Sequence, residues 1–337
     1  MSTGKEISIR DIAEAAGVSH TTVSRALHGR GRMRADTRAH IQALAEQMGY
    51  TPDVRARSLV SGETRTIGVV VTTIADPFVV QIVDGIEAVA QAAGYSLFLS
   101  ASHSDPEREL AVVETFHQRR VDAVIVTASR VGNLYAARLK QFGAPIVLIN
   151  NLQEGPYLYS VSADDVAGAQ LAVAHLLELG HRRIAYLGST SRPISSLRRQ
   201  QGYAAALQEA GISFDPALVA APEAESDLAA GQEGLWMLLA AAPTALFAYN
   251  DMTAIGVLQG AARMGIDIPG KLSVIGFDDN EIARLVTPPL STIHQPQQEL
   301  GRRAMHMALD LLAKRQINDV ILPCTLVLRA TTASPTH

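Results

Sequence analysis

Between Ser8 and Gly49 apolar residues return every third or fourth position in three short sets: Ile9, Ile12, Ala13 and Ala16, then Val23, Ala26 and Leu27, then Ile41, Leu44, Ala45 and Met48. That spacing predicts three short helices, each with one buried face. Ser8 is placed to cap the first, with Asp11 at its third helical position, and Gly17 to end it in the left-handed conformation. Ser19 is placed to cap the second only a tight turn later, which is helix-turn-helix spacing. The basic stretch "HGRGRMR" leads to the third, which Gly49 stops. In the second helix the sealed face leaves His20, Thr21, Ser24 and Arg25 pointing outward together.

In "TPDVRARSLVSGET" Pro52 breaks the chain, Asp53 can cap a helix to about Ser61, and Gly62 ends it. A helix that short rarely persists alone in water. The segment is therefore a plain linker or becomes helical only in company. From Thr66 the period changes. The β-rich runs "TIGVVV", "YSLFLSA", "DAVIVTA", "PIVLINN", "RIAYLGS", "ALFAYND" and "LSVIGFD" recur with helical stretches between them. Strand, helix, strand, with the strands apolar throughout, predicts doubly wound parallel sheets in two similar α/β lobes split near "VSADD". Ligands in such folds bind beyond the carboxyl ends of the strands. Polar residues end these runs: Thr72, Thr127, Asn150, Asn250 and Asp278.

Composition narrows the class. Of 337 residues, 47% are hydrophobic and 18% charged, ordinary for a globular protein, and the longest apolar runs are too short to span a bilayer. No apolar signal region precedes the first helix pattern, and one cysteine, Cys324, allows no intrachain disulfide, so a reducing cytoplasm is expected. The net charge of −4 hides an asymmetry. Residues 1–65 hold ten Lys and Arg against seven Asp and Glu, while the remainder holds 19 against 26. The small basic head is where a polyanion would be met, although an excess of +3 is modest.

"IRDIAEAAGVSHTTVSRAL" followed by "GYTPDVRARSL" resembles the DNA-binding head and hinge of the LacI/GalR transcriptional regulators. The resemblance continues in order through "DPF", "LGHRRIAYLG", "RRQQGY", "AYNDMTAIG", "LSVIGFDD" and "PPLSTIHQP", covering nearly the whole chain. It implies an N-terminal all-α helix-turn-helix head with a hinge helix, followed by an α/β periplasmic-binding-protein-like core of two doubly wound parallel-sheet lobes. The head would span 1–51, the hinge and linker 52–65 and the core 66–337. The first lobe would take about 66–163 and 292–323, the second about 164–291 and 324–337.

The same resemblance gives the outward face of the second helix a use. His20, Thr21 and Arg25 would read base edges in the major groove, the arginine suiting the paired acceptors of guanine. Ser19, Ser24, His28, Arg55 and Arg57 would contact the DNA backbone, which positions the head without specifying sequence. Without the family, His20 and Thr21 are simply a solvated helix face, and Arg55 and Arg57 equally so. Leu59 would wedge into the minor groove where the paired hinges of a dimer meet.

Pro77, Phe78, Asn150, Arg199, Asn250, Asp278 and Gln295 would bind an effector between the lobes. Planar donors and carboxylate acceptors suit hydroxyls, and an aromatic suits a ring face, so the site is sugar-like. Phe78 also reads as a core residue, Asp251 and Asp279 as helix caps, and Arg198 competes with Arg199 for its role. Three residues depart from the family: Asn150 where many relatives have aspartate, Ser226 where several have an aromatic, and Arg34 where many have a serine cap.

The expected function is a homodimeric, sequence-specific DNA-binding repressor, controlled by a small sugar-like effector and acting on a near-palindromic operator. No leucine heptad follows "LVLRATT", which favours dimers over tetramers. Three alternatives stand beside it: a regulator answering to a nucleobase, one answering to a protein partner, and a cytoplasmic sugar-binding protein with no DNA role. No phosphate-binding glycine loop, nucleophile elbow or metal-binding His pair stands in the chain, so no enzyme, cofactor or metal is expected.

Overall fold

A computed structural model of the chain describes residues 7–27, 31–50, 63–129, 131, 144–151 and 158–336. It divides into two units, Met1–Thr64 and Arg65–His337.

The first unit holds α1 (Ile9–Ala15), α2 (His20–Leu27) and α3 (Ala35–Gln47). Ser8 and Asp11 close a capping box: the Ser8 amide donates to the Asp11 carboxylate at 2.7 Å, and the Asp11 amide to Ser8 Oγ at 3.4 Å. Gly17 and Gly49 stand at φ +64° and +67°, where a side chain would be strained, and so end the first and third helices. Ile12, Val23, Ala26, Ile41 and Ala45 are buried together at the centre. Arg34 precedes α3 without a side-chain cap bond, as expected of an arginine in that place.

The second unit contains two six-stranded sheets. β1 (Thr66–Val71), β2 (Ser96–Ala101), β3 (Ala123–Thr127), β4 (Ile146–Ile149), β5 (Leu158–Ala163) and β11 (Val320–Leu322) run in the order β11-β5-β4-β3-β1-β2. All their pairings are parallel, with Gly68 of β1 between Phe98 and Val124. The second sheet takes β6 (Ile184–Leu187), β7 (Val219–Ala220), β8 (Ala245–Ala248), β9 (Ser273–Asp278), β10 (Ser291–His294) and β12 (Thr325–Val327), in the order β12-β10-β9-β8-β6-β7. Its one antiparallel pair, β10 with β12, lies at the edge. The chain therefore crosses between lobes after Ala163, after His294 and at Pro323–Cys324.

Capping residues start the helices that cover these sheets. Asp76, with Pro77 at the first helical position, starts α4 (Pro77–Ala92), and Asp105 with Pro106 starts α5 (Pro106–Gln118). In the second lobe Asp164 starts α6 (Asp165–Glu178), Ser226 starts α8 (Asp227–Leu238) and Asn250 starts α9 (Asp251–Met264). α7 (Pro193–Glu209) begins at Arg192 without a cap bond, and α10 (Ile282–Leu285) is a single turn. After the second crossing α11 (Gln297–Leu312) packs on α4 and on β3, β4 and β5 of the first lobe.

Two of the helix pairs meet at glycine. A Cβ on Gly85 of α4 would overlap the Gln298 carbonyl of α11, and Gly231 of α8 lies against Gly256 of α9. Both are backbone-to-backbone approaches, so no side chain can swing aside to make room. Gly85→Ala is expected to lower the unfolding free energy of the core by about 1–3 kcal/mol in denaturant titration, the cost of overpacking. An unchanged midpoint would show that the two helices slide apart freely.

Candidate functional site

On the head, His20 and Thr21 are exposed at the first two positions of α2, and Arg25 is exposed just over a turn later. Ser24 is half-buried between them, and Val23 and Ala26 turn the opposite way into the core. The Ser19 hydroxyl is in use locally: it accepts from the Thr22 amide at 3.2 Å and shares a bond with the Thr22 hydroxyl at 2.8 Å. His28, Arg55, Arg57 and Leu59 lie outside the described residues. The result is a polar surface at a helix N-terminus, with an arginine reaching out from its second turn.

In the core, strand ends and helix starts from both lobes surround a small, tightly lined space, where ligands of such folds bind. Phe78, Asn150, Arg199, Asp278 and Gln295 all line it. Phe78 also belongs to the apolar core. Pro77 does not reach this space and faces a more open outer chamber. Asn250 stands outside both. Its Oδ1 accepts from the Thr253 amide at 2.8 Å as the cap of α9, and its Nδ2 donates to Asp227 at 2.7 Å. Both ends of the amide are thus consumed by the fold.

Arg199 is the centre of the site. It is 2% exposed, its Nε donates to Asp165 at 2.8 Å, and its Nη1 donates to the Tyr249 carbonyl at 2.5 Å. The guanidinium also stacks on two rings, 3.8 Å from the centroid of Phe277 and 4.5 Å from that of Tyr249. Its role does not pass to Arg198, which does not line the space. Asp278 lies 3.8 Å from Arg199 Nη1 and accepts from Gln295 Nε2 at 2.5 Å. Burial pushes its carboxyl well above the usual carboxylate range, against the pull of Arg199, whose closer partner is Asp165. Gln295 in turn accepts from Asn150 Nδ2 at 3.4 Å, and Asn150 Oδ1 accepts from the Ala163 amide at 3.0 Å. A polar chain therefore runs from Asn150 in the first lobe, through the crossing at Gln295, to Asp278 and Arg199 in the second.

Three of the lining residues are non-glycine positions with positive φ: Ala128 at +46°, Asn150 at +54° and Asp278 at +118°. Backbone strain of this kind collects at binding sites, where it aims side chains that a relaxed strand end would turn away. The Thr72 hydroxyl, buried on the same wall, has no hydrogen-bond partner among the described residues.

Several residues of the site are not distinguished by the sequence patterns. Asp165 sits in "VSADD", which marks only a boundary, and Arg192 and Asp76 each precede a proline at a helix start. Neither Asp251 nor Asp279 caps a helix. Asp251 is fully buried, accepting from the Thr292 hydroxyl at 2.5 Å and the Asn280 amide at 2.7 Å, and burial raises its pKa to about 7. Asp279 is held below its ordinary value, because hydrogen bonds from His294 and Arg329 outweigh its burial. Ser226 is the cap of α8, accepting from the Ala229 amide at 3.2 Å.

The sequence profile of bacterial regulatory proteins of the lacI family matches residues 8–53, and that of the periplasmic binding protein-like domain matches 173–332. Over 333 residues the chain is 34% identical to the HTH-type transcriptional regulator DegA of Bacillus subtilis, covering 96% of this chain and 98% of that one. The chain belongs to the LacI family. It is a DNA-binding transcriptional regulator, and α2 is the second helix of the family's helix-turn-helix. The fold matches the lac repressor dimer bound to operator and the anti-inducer ONPF, with TM-score 0.87 and 28% identity over 98% of this chain and all of that one. It also matches a LacI family regulator from Enterococcus faecium with bound ribose, with TM-score 0.71 and 29% identity over 80% of this chain and 99% of that one. Among the described residues of this family member, no helix is long and apolar enough to cross a membrane.

Removing the central guanidinium tests the construction of the cleft. Arg199→Met leaves Asp165 and Asp278 buried without their cation, and is expected to destabilise the core by about 3–5 kcal/mol in denaturant unfolding. A loss under about 1 kcal/mol would mean that the cluster does not depend on Arg199.

Proposed function

We propose that this regulator is a repressor whose grip on its operator is set by a small polyhydroxylated effector bound between the two core lobes. The observation that carries the effector is the convergence of Asn150, Gln295, Asp278 and Arg199 with the unpartnered Thr72 hydroxyl around one space between the lobes. Such a set offers donors and acceptors at fixed angles among apolar side chains such as Phe78, Val79 and Ile82, which suits the hydroxyls and ring face of a polyol. The bound ribose of the Enterococcus faecium relative supports the same class.

On the DNA side, His20, Thr21 and Arg25 are the base readers, and Ser19, Ser24, His28, Arg55 and Arg57 the backbone contacts. Leu59 is the minor-groove wedge. Two heads are needed for two half-sites, and the lac repressor binds its operator as a dimer. Exposed apolar residues on the core, among them Phe98 and Leu99 of edge strand β2, are available to a second copy. Work on DNA places the protein in the cytoplasm, and binding without turnover is its whole task.

Thermal unfolding against a panel of monosaccharides, disaccharides, sugar phosphates and nucleobases tests the effector class. A sugar at about 100 times its dissociation constant adds roughly 2.7 kcal/mol and raises the midpoint. A shift given by nucleobases alone would contradict the polyol reading. For the head, Arg25→Ala is expected to weaken operator binding and to relax preference at one base pair per half-site. An equal loss on every sequence would place Arg25 on phosphate instead.

A further inference from the structure

Asp76 and Arg192 form the one ion pair between the lobes among the described residues. Asp76 stands at the start of α4 in the first lobe and Arg192 at the start of α7 in the second. Among the described residues they are also the only two that line both the inner space around Arg199 and the outer chamber. The pair therefore stands where the two spaces adjoin.

Ordinarily a buried ion pair is a poor moving part, because parting it strands two charges away from water. Here each partner has a second contact within its own lobe. Asp76 Oδ1 accepts from the Phe78 amide at 3.0 Å, as the cap of α4, while Oδ2 meets Arg192. Arg192 Nη1 lies 3.9 Å from Asp227 Oδ2 on α8. When the lobes separate, the aspartate keeps its helix amide and the arginine keeps a carboxylate, so neither is left bare.

From this geometry we infer that Asp76 and Arg192 are a reversible latch, which holds the two lobes together at the cleft and must be released for an effector to enter. The inference rests on the reading of the cleft as the effector site, but the latch itself works without any ligand. It accounts for a core whose lobes are drawn together around Arg199 by the protein's own charges. It also links the cleft to α9, because Asp227, the fallback partner of Arg192, accepts from Asn250, the cap of that helix.

Hydrogen–deuterium exchange of the full chain, with no effector added, tests the latch. Asp76→Asn removes the charge and keeps the cap, since asparagine caps as well as aspartate; Arg192→Gln removes the other half. In each variant the Ala163 and Gln295 amides, which donate to Asn150 and Asp278 of the cleft, should exchange at least about threefold faster than in the unsubstituted protein. Val257, in the core of α9, should not change. The double variant should be no faster than the faster single one. Acceleration in one variant only, or in neither, overturns the latch. Acceleration that includes Val257 to the same degree also overturns it, since the pair would then be a global stabiliser and not a hinge lock.

Discussion

Everything in the cleft is arranged around one guanidinium kept out of water. A buried arginine cannot neutralise itself, so the fold must bring it acceptors and ring faces from several directions. Arg199 obtains them from Asp165 at the start of α6, from the carbonyl and ring of Tyr249 after β8, and from Phe277 in β9. Those contacts fix four elements of the second lobe relative to one another. They also determine what the cleft presents, because the Arg199 edge left beside Asp278 faces the space between the lobes.

The two lobes use the same device with different materials. Each covers its sheet with helix pairs that cross at backbone distance, through Gly85 in the first lobe and through Gly231 and Gly256 in the second. Close crossing holds helix starts in fixed positions: that of α4, with Asp76, through Gly85, and those of α7 and α6, with Arg192 and Asp165, through Gly202 of α7 against the Val166 carbonyl of α6. The crossings between lobes are short, with only Pro323 and Cys324 between β11 and β12. Rigid bodies joined by short connections move against each other as hinges, which makes a charge pair across their gap a mechanical element.

Much of this was legible in the chain. The three helices of the head, their caps at Ser8 and Ser19 and their stops at Gly17 and Gly49 follow from local chemistry alone. The seven long apolar runs are strands: six are buried on both faces and have no polar alternation to hide them, and β2 is an edge strand that keeps its apolar run although exposed. β5 and β10 escape that test: Ser160, Ser162, Ser291 and Thr292 are polar yet buried, satisfied or tolerated by tertiary neighbours that no local window contains. β7 has only two residues and β11 three, too few for any period. In the cleft, five of the seven residues expected from the family resemblance come together around the inner space. Asn250 does not, because the start of α9 needs its side chain more, and the Asp76–Arg192 pair joins residues 116 positions apart, a proximity no local pattern carries.

The central claim is that one protein couples a cleft ligand to DNA, and linkage is its most direct measure. Duplexes enriched from a random pool by the full chain supply the operator, and the sugar that most raises the thermal midpoint supplies the ligand. Fluorescence anisotropy then gives the dissociation constant for DNA with and without the sugar, and calorimetry the constant for sugar with and without DNA. The account predicts that both change by the same factor, of about 5–150-fold, because coupling between two sites is reciprocal. A sugar that binds the core tightly while leaving the DNA constant unchanged would contradict it.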